Sequence, residues 1–165
     1  YNRWTAIGRH IGAGETDQGQ YDRDHLDMDY VIGASMFVDV NFVLDVGLMN
    51  EEYFLYFEEP DWLLRGRKKG WGLGYCYPSR VYHKEGGFSG TSQKGAGRSL
   101  FSDYYGLRNR LIFTRRFFPY ALPTVYLSFI MVIINRLRRR QYGRLKLAWR
   151  AMTGKLDLRF RNEYE

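Results

Sequence analysis

Cysteine is nearly missing from this chain: Cys76 is the single one among 165 residues, so no internal disulfide can form. That suits a reducing compartment. No local pattern activates the thiol, so Cys76 reads as a buried structural residue within the apolar-aromatic run 71–77. Proline is scarce too, with four residues, each at a boundary. Pro60 falls in a first helical turn, Pro78 in a turn, and Pro119 and Pro123 flank the start of an apolar segment. The chain opens on Tyr1 with no signal-peptide pattern and enters loop-like sequence at once, which reads as a fragment lacking its N-terminal portion. No repeat is visible. Long apolar runs are also absent. Counted from Pro123, the segment 125–134 reaches roughly 15 Å, half of a bilayer core. An interfacial helix is therefore expected there, its apolar face in lipid and arginines at the headgroups.

What is present argues for a folded protein: 45% hydrophobic and 26% charged residues exclude disorder, and the length suits one domain with a real core. Aromatics are abundant at 18%, a share compatible with a core, a carbohydrate site or a membrane interface. The net charge of +7 is uneven. Up to Asp61 the chain is acidic or balanced, whereas Arg108, Arg110, Arg115, Arg116, Arg136, Arg138 to Arg140, Arg144, Lys146 and Arg150 crowd the C-terminal third. Such a region favours an anionic partner, a membrane surface or a nucleic acid.

Residues 1–27 are polar and Gly-rich and read as loop. Segments 29–33 and 34–38 read as a strand bent at Gly33. Asp39 reads as the N-cap of a short helix ended by Gly47. A helix is expected from about Glu58 to Lys69, acidic at its start and basic at its end, as the helix dipole favours. Segments 71–77 and 80–84 read as two further strands. Residues 86–97 are rich in Gly and Ser and read as a mobile loop over a site. The remainder reads as helices over 99–117, beyond Pro123, and over about 144–152.

The most informative stretch is Tyr56-Phe57-Glu58-Glu59-Pro60-Asp61-Trp62, which puts carboxylates at a helix mouth between aromatic side chains, with His83 further on. Taken with Val31 to Val38, Val46 to Phe54, Arg65, Gly70, Pro78, Arg80-Val81-Tyr82-His83, Gly86-Gly87 and Tyr104 to Phe113, the order of residues resembles family 2 glycosyltransferases. The rhamnosyltransferase-like enzymes of bacterial cell-surface polysaccharide synthesis are the subgroup it looks most like. The resemblance implies an α/β fold: residues 1–97 as the acceptor-side half of a GT-A catalytic domain, and 98–165 as a helical, membrane-associating tail. The half that holds the nucleotide-sugar, with its Asp-x-Asp metal motif, is read as absent, so the chain by itself is expected to be inactive.

The same resemblance implies an inverting transfer with Glu59 as general base and Glu58 beside it. Asp61, Trp62, Arg65 and Arg108 would contact the acceptor, with Arg110 a second candidate for phosphate, and His83 would bind a divalent cation, Mn or Mg, in the full-length enzyme. A nucleotide-sugar donor, a glycan or lipid-linked acceptor and an anionic membrane surface are the implied partners; nucleic acid is not expected. The implied location is cytoplasmic, peripheral on the inner face of the cell membrane. The alternative is a non-catalytic basic module binding anionic membrane or nucleic acid.

Overall fold

The structure, a computed structural model, describes residues 1–23, 27–83 and 99–154. The chain forms two compact units, one of Gly8–Lys84 with Tyr1 and the other of Asn2–Ile7 with Glu85–Glu165. The boundary expected after residue 97, and the loop 86–97, lie outside the described residues.

The first unit is built on two short helices, α1 (Val40–Val46) and α2 (Glu58–Arg67). Asp39 caps α1 by accepting from Asn41 N at 2.7 Å, and Gly47, at a φ of 81°, ends it with its N–H on Val43 O. Phe42 of α1 and Trp62 and Leu63 of α2 form the buried cluster. The Phe42 ring meets Trp62 and Trp71 edge-on, with centroids 4.9 and 5.5 Å away. Gly66 makes this contact possible, because a Cβ there would lie 2.3 Å from the Phe42 ring. Held between two tryptophans, that ring has no room to yield. Gly66→Ala is expected to destabilise the unit by about 1–3 kcal/mol in denaturant unfolding, although alanine favours helix.

The second unit is helical: α3 (Leu100–Phe117), a 3-10 turn at Pro119–Ala121, α4 (Leu122–Arg138) and α5 (Tyr142–Thr153). Ser99 caps α3 by accepting from Ser102 N. The pairs Asp103–Arg136, Arg110–Ser128 and Arg115–Tyr126 show that α3 and α4 run antiparallel. Leu111, Phe113, Val125, Phe129 and Ala148 are all but excluded from solvent. Asp103 ties the three helices together. It accepts from Arg136 Nη2 at 2.7 and 2.8 Å and from Arg144 Nη1 at 2.9 Å, while Arg136 Nη1 donates to Arg144 O.

The expected α/β, GT-A-type fold is overturned. Among the described residues there is no strand and no sheet, only one isolated antiparallel bridge between Asn2 and Ile7. The period-two patterns that read as strands have another cause. Met36 and Val38 pack on the Phe42 cluster while Phe37 points fully out, and Trp71, Leu73 and Tyr75 alternate in burial with Gly72, Gly74 and Cys76. An extended segment laid over two helices buries every second side chain just as a strand does, without a ladder partner. At Gly33–Ser35 the first segment coils into a 3-10 turn. The same alternation places Cys76 on the surface, against its expected burial.

The helix length read from the sequence also needs correction. Pro119 and Pro123 sit in first turns, where a missing N–H costs nothing, so helix runs unbroken over Pro119–Arg138. Its 20 residues make it about 30 Å long, enough by length and composition to cross a membrane.

Candidate functional site

The helix mouth at Glu58 is held open by an unusual loop. Phe54, Tyr56 and Phe57 all have φ between 61° and 75°, a left-handed region that costs a bulky L-residue of order 1 kcal/mol or more. Phe57 takes the N-cap position of α2 without a side-chain cap. What holds the loop is buried beneath it. Asp61, with no exposure, accepts from Tyr53 Oη at 2.9 Å and from Arg65 Nε at 2.8 Å. Arg65 also donates to Val46 O and Leu48 O, at 2.8 and 2.7 Å. A carboxylate, a phenol and a guanidinium thus clamp the chain after α1 to the first turn of α2.

Glu58 and Glu59 leave that turn in different surroundings. Glu59 Oε1 accepts from Gly33 N at 3.1 Å. Gly33 lines a cleft of about 800 Å³, the size of a small-ligand site. Tyr30, Trp71 and Tyr75 give the cleft aromatic walls, and Asp29 and Asp39 give it carboxylates. The Tyr30 hydroxyl has its pKa raised by burial, then by the charges of Glu59 and Asp29.

Glu58 Oε2 is buried with no hydrogen-bond partner, and burial, with a smaller push from Glu59, raises the pKa of its carboxyl. A carboxyl whose folded pKa lies above its unfolded value stabilises the fold at low pH and loses that contribution as pH rises through the folded value. Glu58→Gln, which mimics the protonated form, is therefore expected to raise the melting temperature at neutral pH and to leave it nearly unchanged below the usual carboxylate range.

The other expected site residues are spread differently. Trp62 is core, its Nε1 donating to Gly47 O at 2.7 Å. His83 is exposed at the end of the segment that follows the cleft-lining residues. Arg108 belongs to the helical unit, where its Nη1 donates to Asn109 Oδ1. Its neighbour Arg110 is buried there, donating to Thr5 O and Ser128 Oγ, and burial lowers its pKa to about 10. Those contacts occupy the guanidinium that the sequence offered to phosphate.

Sequence reasoning missed the cleft walls, and it missed Asp27-Met28-Asp29. This tripeptide has the Asp-x-Asp form, against the expected absence of that motif, and both residues line the cleft. Asp29 also lies 3.6 Å from the Arg67 guanidinium. Among the described residues no three His, Cys, Asp or Glu side chains are placed to hold a metal ion. Those described donors do not by themselves make up a divalent-cation site. Manganese titration of the chain is expected to show no saturable binding in the micromolar range, by calorimetry.

One curated protein aligns with 108 residues at 20% identity, covering 66% of this chain. It is the low-salt glycan biosynthesis hexosyltransferase Agl10 of Haloferax volcanii. The chain spans about a third of that relative, 34% of its length. No protein-family model matches the chain. No solved structure matches it significantly.

Proposed function

We propose that this chain is the acceptor-binding, base-carrying part of a glycosyltransferase that moves a rhamnose-like sugar from a nucleotide-sugar donor to a cell-surface glycan or lipid-linked acceptor, with inversion. The carrying observation is the hydrogen bond to the Glu59 carboxylate from Gly33 N, whose residue lines an aromatic-walled cleft. The alignment with a glycan-biosynthesis hexosyltransferase supports the same reading.

Aromatic faces suit the apolar faces of sugar rings, and carboxylates suit their hydroxyls. In the proposed step an acceptor hydroxyl attacks the anomeric carbon opposite the leaving nucleoside diphosphate. Glu59 removes the hydroxyl proton as the new C–O bond forms, and the bond to the diphosphate breaks with its electron pair. Asp61 and Arg65 act as positioning residues through the clamp on the loop, Trp62 supports the turn from below, and the partly buried Glu58 carboxyl stands beside the base. His83 is assigned to a cation in the full-length enzyme, where further donors complete the set; no step here depends on that ion. The proposed setting is the cytoplasmic face of the cell membrane, with the helical unit as the peripheral anchor.

The test is a transfer assay of the full-length enzyme with nucleotide-activated deoxyhexoses and hexoses, with product configuration read by NMR. An inverted anomer is expected. A retained configuration overturns the single-displacement mechanism, and absence of transfer to every acceptor tried overturns the reading.

A further inference from the structure

We infer that the helical unit docks on an anionic bilayer surface with α4 lying in the membrane plane, its outer face in the acyl boundary, and that α4 does not cross. This rests on the lipid-surface part of the function proposed above and is independent of sugar transfer.

The helix α4 is apolar on two opposite faces, of which the protein covers one. Val125 and Phe129 are fully buried. On the other side Leu127, Ile130, Met131, Ile134 and Leu137 are 41–62% exposed. Their spacing aligns them as one stripe along the helix. A soluble helix surrounded by water gains nothing from this second stripe.

Charge identifies what covers it. Arg138, Arg139 and Arg140 are exposed at the far end of the stripe. Arg115 and Arg116 are exposed near its start, where Arg115 Nη2 donates to Tyr126 Oη at 2.8 Å. From Tyr104 to Gly154 the chain has no Asp or Glu. Cations at both ends of an apolar stripe match anionic headgroups over acyl chains. A nucleic acid would set its phosphates against the aliphatic side chains in between.

The helix is long enough to cross, yet its attachment opposes crossing. Antiparallel beside it lies α3, joined through Arg110–Ser128 and Asp103–Arg136. Sending α4 through the bilayer would draw Arg110, which is bonded to Ser128 in the middle of α4, and Arg108 within a turn of it to hydrocarbon depth, where charged groups are costly. In the plane, the outer stripe meets lipid while that polar seam stays on the protein side.

The experiment uses the full chain in a Cys76→Ser background, with nitroxide labels on Leu127→Cys, Met131→Cys and Ile134→Cys. Vesicles of equimolar phosphatidylcholine and phosphatidylserine are compared with phosphatidylcholine alone. Binding only to the anionic vesicles, weakened by salt, with all three labels at one shallow depth, is the expected result. Ile134→Glu, at an exposed position that leaves the helical circular dichroism intact, should lower partitioning about tenfold. Depths that step by about 10 Å from the first label to the last would show crossing and overturn the in-plane placement alone. Failure to bind anionic vesicles overturns the lipid-surface reading as well. A dimer in sedimentation that Ile134→Glu dissolves would assign the stripe to a second copy and also overturn the inference.

Discussion

Glu59→Gln is expected to lower turnover by about 10²–10⁴-fold while leaving acceptor KM nearly unchanged, the range that a positioned general base contributes. Glutamine keeps the length of the side chain and an oxygen that can accept from Gly33 N, but it cannot take a proton. Gly33→Ala offers an independent approach to the same atom. A Cβ there would lie 2.7 Å from Glu59 Oε1, so the carboxylate must swing away. The atom displaced is the tip of a flexible side chain, so the fold should survive while activity falls by between about tenfold and 10²-fold. Kinetics of both variants in the full-length enzyme, beside thermal melts, separate a lost base from a lost fold. If Glu59→Gln turns over like the wild type, Glu59 is not the base.

Asp103→Ala should be the most damaging single change to the helical unit, costing about 3–5 kcal/mol in urea unfolding followed by circular dichroism. The carboxylate faces two guanidiniums, and its side chain and that of Arg136 are only 12% and 9% exposed. Burial lowers the Arg136 pKa and Asp103 opposes that shift. Removing Asp103 leaves two cations close together in a poorly hydrated seam, each repelling the other. Asp103→Asn keeps an acceptor but not the charge and should fall between the wild type and alanine. A cost below about 1 kcal/mol for alanine would mean that water reaches the arginines, as at surface pairs.

The helices were legible because their signals are local. Asp39 and Gly47 bracket α1, and acidic residues open α2 where basic ones close it. Around the second unit, Ser99, Pro119 and Gly154 mark ends that the structure keeps within a residue or two. The sheet was misread because alternating burial reports only that an extended segment has one covered face. It does not say whether a helix or another strand does the covering. The site was legible in part. Glu59 and the loop before it stood out as a carboxylate-aromatic cluster, but Asp61 and Trp62 belong to the same cluster by sequence and turn inward. Asp103, with no nearby basic partner in sequence, gave no sign that it joins residues 33 and 41 positions away.

The three left-handed aromatics ahead of α2 set one architectural demand against another. Glycine at position 54, 56 or 57 would relax the backbone and make the protein harder to melt. It would also strip rings from the entrance to the helix and free the tether that aims the acidic pair. Laboratory evolution for heat resistance alone therefore pulls this segment toward flexible, featureless chain. Only a screen that also scores sugar transfer would retain its contorted shape.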